Sequence, residues 1–202
     1  MPQPIIVIGA NGAGKTTWCR RHGDLLPEHF YNADTIAEGL GGWNSPAHQR
    51  AARDLIDKQV EGHLTRKEDF GFESTYSGRS RPAIIERAGA LGYRTTAIFL
   101  GTRRPEINIQ RVAVRVATRT GHEVPAAEIR RRWATCPSNL ARTAHAISYI
   151  HMLDNSGQRT RRVILIENGR EVAQAPTMPE WAYELNERIQ AAATRTPASS
   201  RD

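Results

Sequence analysis

A chain of 202 residues with 39% hydrophobic content is long enough for a full α/β core and too apolar to be disordered, and its lack of any eighteen-residue apolar run excludes a membrane-spanning helix. The net charge of +7 is carried almost wholly by arginine, since Lys15, Lys58 and Lys67 are the only lysines, and it suits a polyanionic partner: a nucleotide, a nucleic acid or an acidic protein. The N-terminus lacks a secretory pattern, and Cys19 and Cys136 form no ligand spacing with the seven histidines, so a cytoplasmic protein without a zinc site is expected.

The first element is Pro4-Ile5-Ile6-Val7-Ile8, a β-branched apolar run that predicts a buried strand. Gly9-Ala10-Asn11-Gly12-Ala13-Gly14-Lys15-Thr16 follows it and fits the phosphate-binding P-loop pattern, and Lys15 to Arg21 reads as helix. A second short strand spans His29 to Asn32, then a short helix runs from Thr35 to Leu40 and stops at Gly41-Gly42. Pro46 opens a long helix to about Arg66, with Leu55, Val60 and Leu64 as its apolar anchors. Asp69 to Glu73 predicts a third strand with Phe70 and Phe72 on one face, leading into the polar loop Ser74 to Arg79. Ser80 is positioned to cap a helix that carries Pro82 in its first turn and reaches Ala90, and Arg94 to Leu100 predicts a fourth strand.

Pro105 to Thr120 reads as helix with Gly121 as its stop. A further helix opens at Pro125, breaks or kinks at Pro137 and continues to about Leu153, before the turn Asp154-Asn155-Ser156-Gly157. Val163 to Ile166 predicts a fifth strand, Asn168-Gly169 a hairpin, and Pro179 to Ala193 a terminal helix. Strands alternating with helices imply a three-layer α/β fold of the P-loop kinase kind: a mostly parallel sheet flanked by helices, with a helical lid at about 103–132. One domain over residues 1–193 is expected, with a disordered tail over 194–202.

In such sheets ligands bind at the carboxyl ends of the strands. There the backbone N–H groups of Asn11, Gly12, Ala13, Gly14, Lys15, Thr16 and Thr17 form a nest for phosphate oxygens, which fits ATP. Lys15 reaches the β- and γ-phosphates, and the Thr16 hydroxyl is the candidate Mg²⁺ ligand. Asp34, just past the second strand, reads either as the base that takes a proton from an acceptor hydroxyl or as the cap of the following helix; Asn32 is the second cap candidate. Glu73 can bind acceptor hydroxyls or assist Mg²⁺ through water, and Thr75 and Arg79 stand beside it, while Ser77 reads as loop polarity. Arg111, Arg115 and Arg119 form one helical stripe beside the apolar Ile109, Val112 and Val116, and a row of like charges is easier to explain opposite an anion. Arg130-Arg131-Arg132 is a second cluster able to act on a transferring phosphoryl group, whereas His122 reads as structural.

Taken together, GANGAGKTT, FYNADTIAEGL, FGFESTYSGRS, RPEINIQRVAVRVATRTGHEVPAAEIRRRW and LDNSG, in order from about Ile5 to Gly157, resemble the zeta toxin family of P-loop kinases, and specifically its small standalone branch. The resemblance implies an ATP- and Mg²⁺-dependent kinase whose best-known acceptor is the 3′-hydroxyl of UDP-N-acetylglucosamine. It implies Lys15 and Thr16 for phosphate and metal, Asp34 as base, Glu73 and Thr75 for the acceptor, and Arg111 or Arg115 with Arg130 or Arg131 as phosphate clamps. It also implies a neutralising antitoxin, for which an acidic protein suits the charge. The stretch Ser74 to Arg81 departs from the family's sugar-nucleotide pattern. A salvage kinase for a nucleoside or other metabolite is the alternative. A polynucleotide 5′-hydroxyl kinase is a further one, disfavoured by the lack of interleaved aromatic and basic residues.

Overall fold

The computed structural model describes residues 1–42 and 45–195. Seven strands form one sheet: β1 (Ile5–Ile8), β2 (Phe30–Tyr31), β3 (Gly71–Ser74), β4 (Thr96–Gly101), β5 (Tyr149–Asp154), β6 (Arg161–Glu167) and β7 (Arg170–Gln174). Their order is β2-β3-β1-β4-β5-β6-β7; the first five are parallel, β6 is antiparallel to β5, and β7 is antiparallel to β6. The helices are α1 (Lys15–Arg21), α2 (Ala33–Gly39), α3 (Pro46–Arg66), α4 (Ser80–Ala90), α5 (Pro105–Ala117), α6 (Ala126–Thr143) and α7 (Glu180–Arg195).

The alternation within β1 divides the core. Ile6 and Ile8 face a large cluster roofed by α3, α4, α6 and α7, while Val7 faces a smaller one with Trp18 and Cys19 of α1. Helices on both sides of a mostly parallel sheet are the expected three layers. Phe70 and Phe72 are both fully buried in the larger cluster, as their spacing predicted. Burial raises both thiols, Cys19 and Cys136 each to about 12, which leaves them as inert packing groups.

Several expectations are corrected. The long helix predicted to reach Leu153 ends at Thr143, and Tyr149–Asp154 is a strand paired in parallel with β4 over its whole length. Ile150 and Met152 alternate inward there, and the sheet's demand for a partner on the free side of β4 overrides the local helical reading. Pro137 sits inside α6 without ending it. On α3 the inward face is Ala52, Ile56, Val60 and Leu64, and Leu55 is exposed. Helix α5 stops at Ala117, so Arg119 leaves the expected stripe at a left-handed φ of 56°, and Val116 is exposed. Helix α4 begins at Ser80 without a side-chain cap. Asn168 and Gly169, both at positive φ, make the predicted hairpin turn between β6 and β7. Thr194 and Arg195 continue α7, and the rest of the expected tail lies outside the described residues.

The histidine reading also changes. His63 is buried, its ring stacked on His29, its Nε2 bonded to the Tyr31 hydroxyl at 2.7 Å and its Nδ1 to Glu68 at 2.8 Å. The three ligand-type groups of His29, His63 and Glu68 lie within 4.8 Å of one another, but the Arg66 guanidinium already sits on the Glu68 carboxylate. A fixed cation there opposes a second one, and Arg66 with His63 draws the Glu68 carboxyl down to about 2.

Candidate active site

The loop between β1 and α1 closes in the required way because two of its glycines meet neighbours. A Cβ on Gly12 would strike the backbone of Asn108, and one on Gly14 would strike the Asn155 side chain; both residues also hold positive φ, at 76° and 98°. The same asparagines brace the loop from outside. Asn108 Nδ2 donates to the Asn11 carbonyl at 2.7 Å, and Asn155 Nδ2 donates to the Ala13 carbonyl at 2.8 Å. Lys15 is buried, 8% exposed, and its Nζ donates to the Ala10 carbonyl at 3.2 Å. Curling the ammonium over its own loop in this way keeps it at the nest of N–H groups.

Parallel pairing sets Glu73 of β3 beside Val7 of β1, one residue short of the loop. The Thr16 hydroxyl donates to Glu73 Oε1 at 2.7 Å, and Asn32 Nδ2 donates to Oε2 at 2.9 Å. Asn32 also caps a helix. Its Oδ1 accepts from the N–H groups of Asp34 and Thr35 at 2.8 and 3.3 Å, so Asn32, and not Asp34, caps α2. The Asp34 carboxylate is thereby left facing the site. Gln49 Nε2 donates to Asp34 Oδ1 at 3.1 Å, and His122 Nδ1 lies 3.8 Å from the same oxygen.

Two cavities meet at this point. One, of about 470 Å³, lies over the P-loop and is lined by Gly12, Gly14, Thr16, Thr17, Arg111 and Arg115. The other, of about 490 Å³, is lined by Gln49, Arg53, Thr75, Arg81, His122 and Arg132 among others. Both share Asn11, Lys15, Asp34 and Glu73. A third cavity, lined by Trp18, Arg21, His22, Asn155 and Gly157, adjoins the first through Gly14, Thr17 and Arg111.

The arginines divide into three groups. Arg111 and Arg115 face the P-loop cavity; Arg111 Nη1 and Arg115 Nε are buried without hydrogen-bond partners, and burial lowers the Arg111 guanidinium from its usual range. Arg130 and Arg131 do not enter either cavity: they are exposed and paired with Glu106 at 3.1 Å and Glu128 at 2.7 Å. The third member of that cluster enters instead. Arg132 Nη1 donates to Asn11 Oδ1 at 2.8 Å and its Nε to Glu128 at 2.7 Å. Hydrogen bonds from Arg131 and then Arg132 hold the Glu128 carboxyl down at about 2. Arg79 is exposed at the start of α4, and Arg81, two residues on, lines the second cavity.

The loop after β3 is more than polar surface. Tyr76 is buried at a left-handed φ of 51°, its hydroxyl 2.9 Å from Thr143 and its carbonyl accepting from Asn139 at 2.8 Å. A bulky residue holds that conformation only where packing over-determines it. This anchor presents Thr75 and Ser77, 3.1 Å apart, to the second cavity. Gln49, Arg53, Arg81, His122 and Asn155 are not picked out as site residues by the sequence, because each joins the site through contacts with residues distant in the chain. Arg132 belongs to a cluster that the sequence does single out, but Arg130 and Arg131 are the members the resemblance points to; its place four residues after Glu128 on one face of α6 was the available hint.

A nucleotide-type phosphate loop at the carboxyl end of the interior strand β1 of a mostly parallel sheet, opening onto two joined cavities, defines a P-loop protein of kinase-like fold. The chain belongs to the AAA domain family, whose model matches residues 5–137. No curated protein sequence matches it. Among solved structures it is similar to a chain of the AvrRxo1-ORF1:-ORF2 complex with ATP, at 15% identity and a TM-score of 0.68 over 100% of this chain and 66% of that one. It is similar to a chain of the PezAT chromosomal toxin–antitoxin system of Streptococcus pneumoniae, at 13% identity and a TM-score of 0.58 over 97% and 88%. A chain of the Pnkp1/Rnl/Hen1 RNA repair complex matches at 19% identity and a TM-score of 0.56, over 70% and 46%. At these identities the likeness shows the fold, and the chain spans less than two thirds of the first and third of these structures. Among the described residues no helix is long and apolar enough to cross a membrane.

Proposed function

We propose that this protein is an ATP-dependent kinase that transfers the γ-phosphate to a hydroxyl of a small-molecule acceptor. The observation that carries the reading is the meeting of two cavities at Lys15, Asp34 and Glu73, one over the phosphate loop and one beyond it. A hydrolase or a switch needs the first cavity; a transferase needs both. The P-loop N–H groups, Lys15, Arg111 and Arg115 hold the phosphates, and the buried unpartnered guanidinium nitrogens find their partners there. The third cavity, where the Trp18 ring stacks on His22 at 4.5 Å, takes the nucleoside.

The Thr16 hydroxyl and the Glu73 carboxylate, 2.7 Å apart and opening on the donor cavity, make an all-oxygen pair of the kind that suits Mg²⁺. When bound, that ion would neutralise charge on the phosphate oxygens. Asp34 accepts the proton of the acceptor hydroxyl as its oxygen bonds to the γ-phosphorus and the bond from phosphorus to the ADP oxygen breaks. Gln49 and His122 orient that carboxylate. Arg132, tied to Asn11, brings a cation to the transferring group. The segment 103–132, with α5 and the turn into α6, acts as a lid that closes on the nucleotide.

A zeta-toxin-like enzyme is the first specific candidate, supported by the sequence motifs and by the fold likeness to a toxin–antitoxin system; UDP-N-acetylglucosamine is then the first acceptor to try, and an acidic neutralising protein the expected partner. A polynucleotide 5′-hydroxyl kinase is a second reading, favoured by the +7 charge. Labelled ATP with UDP-amino sugars, nucleosides, sugars and oligonucleotides separates them. Transfer to a small molecule is the expected result, and ATP hydrolysis with no acceptor labelled would overturn the kinase reading. Expression in a bacterium tests toxicity: growth arrest relieved by Lys15→Ala supports the toxin, and harmless expression of an active enzyme supports a salvage kinase.

A further inference from the structure

The acceptor-side cavity has a charge pattern that phosphoryl transfer alone does not require. One face of α3 lines it at a helical spacing: Pro46, Gln49, Arg53 and Ile56. Gln49 bonds Asp34 at the reacting end. Arg53 stands one turn further along, about 6 Å on by the rise of a helix. Arg81 lines the same far end, its side chain 12% exposed, with its guanidinium 5.0 Å from the centroid of the Phe72 ring and paired with Asp57.

Here two guanidinium groups face one space. Asp57 is the carboxylate paired with Arg81, and Arg53 has no ion pair among the described residues. Burial draws the Arg81 guanidinium below its usual range, the Asp57 charge opposes that, and the Arg53 charge adds to it, so the two arginines feel each other. The acids elsewhere in the cavity are engaged by Thr16 and Asn32 (Glu73), by Gln49 (Asp34) or by Arg131 and Arg132 (Glu128), while Glu123 lies at the exposed rim. Like charges held together over an apolar floor without a full complement of carboxylates are arranged for an anion.

We infer that the acceptor carries, besides its reacting hydroxyl, an anionic group that binds Arg53 and Arg81 at the far end of the cavity. This rests on the reading of that cavity as the acceptor site. The reacting hydroxyl lies at Asp34, beside Gln49, and the anion lies at Arg53, one helical turn on, so the two groups are not on adjacent atoms of the acceptor. The anion is a phosphate or a carboxylate; a guanidinium fork suits both.

The test is calorimetric titration of inorganic phosphate, and separately of succinate, into protein whose P-loop is filled by a non-hydrolysable ATP analogue. The same titrations are run on Lys15→Ala without nucleotide. There the phosphate loop, Arg111 and Arg115 can also take an anion, so the component lost in Arg53→Gln reads the far site whether or not the donor reading holds. The expected result is an Arg53-dependent anion in both backgrounds, weakened about tenfold or more in Arg53→Gln and largely restored in Arg53→Lys. Arg53 is an exposed helix residue, so these variants leave the fold intact. Tighter phosphate binding points to a phosphorylated acceptor and tighter succinate binding to a carboxylated one. Neither anion binding when the ATP analogue fills the P-loop, or equal binding by Arg53→Gln, overturns the inference. Failure of the ATP analogue to bind instead counts against the kinase reading alone.

Discussion

The cavities proposed for donor and acceptor share a wall, yet they are built in opposite ways. The donor side is consecutive backbone, residues 9–16, braced by two asparagines and faced by two arginines of α5. The acceptor side takes Asp34 from α2, Gln49 and Arg53 from α3, Thr75 from the loop after β3, Arg81 from α4, His122 from the turn before α6 and Arg132 from α6 itself. A triphosphate presents the same oxygens to every enzyme that uses it, so main-chain N–H groups serve. An acceptor has its own shape and charge, and only side chains from several elements can match it. Under the proposed assignment, the donor side is the common chemistry of a fold, and the acceptor side is where such a fold acquires a substrate.

Lys15→Ala is the hardest blow to the shared wall. It is expected to reduce transfer by roughly 10²-fold or more while the melting temperature changes little, because its ammonium makes one internal hydrogen bond, to Ala10. Activity within a few-fold of wild type in a folded variant would remove the basis of the donor reading. Asp34→Asn strikes the same wall, with its effect expected on the acceptor side. The turnover should fall by about 10²-fold with ATP affinity unchanged, since Asn32 keeps the helix cap and the amide cannot take the proton. Equal losses in turnover and in ATP affinity would place Asp34 on the donor side instead.

Asn32→Ala removes a cap and one of the two bonds to Glu73 at once, and is expected to cost about 1–2 kcal/mol in urea unfolding. A Glu73 left with Thr16 alone should also weaken any Mg²⁺ dependence of activity. Hydrogen exchange sharpens the comparison further: the segment 103–132 should gain protection with a non-hydrolysable ATP analogue, while β1 and β3 stay unchanged. Equal exchange with and without nucleotide would make that segment a fixed wall and not a lid. The smallest effect concerns Glu128, held at about 2 by Arg131 and Arg132. Its folded value lies below the ordinary carboxyl range, so what that pairing contributes is complete above about pH 4.5 and disappears as the pH falls toward 2. A carboxyl-detected NMR titration should show the low midpoint, moved upward in Arg131→Gln.

Much of this was legible in the chain. The loop from Gly9 to Thr16 declares itself because its chemistry resides in consecutive residues, and the strand before it and helix after it follow from local pattern. The Asn168-Gly169 hairpin is legible for the same reason. The path from Tyr149 to Asp154 was not: its extended state depends on β4, which lies far back in the sequence and pairs with it residue for residue, and on β6, which pairs with it across a register shift. Asp34 shows the same limit on a smaller scale. As a sequence neighbour of Thr35 it was as good a cap as Asn32; the Glu73 carboxylate on the adjacent strand holds Asn32 in the capping position and turns Asp34 toward the cavity.

By itself the amino-acid sequence determined the phosphate loop, the alternation of strands and helices and the presence of acids at the ends of β2 and β3, because each of these is written within a few residues of chain. Which arginine of a cluster meets the site was decided only by tertiary structure. Arg130, Arg131 and Arg132 are chemically identical, but successive residues on a helix point about 100° apart. Packing of Ile129 and Cys136 into the core leaves one of the three directions, that of Arg132, facing Asn11.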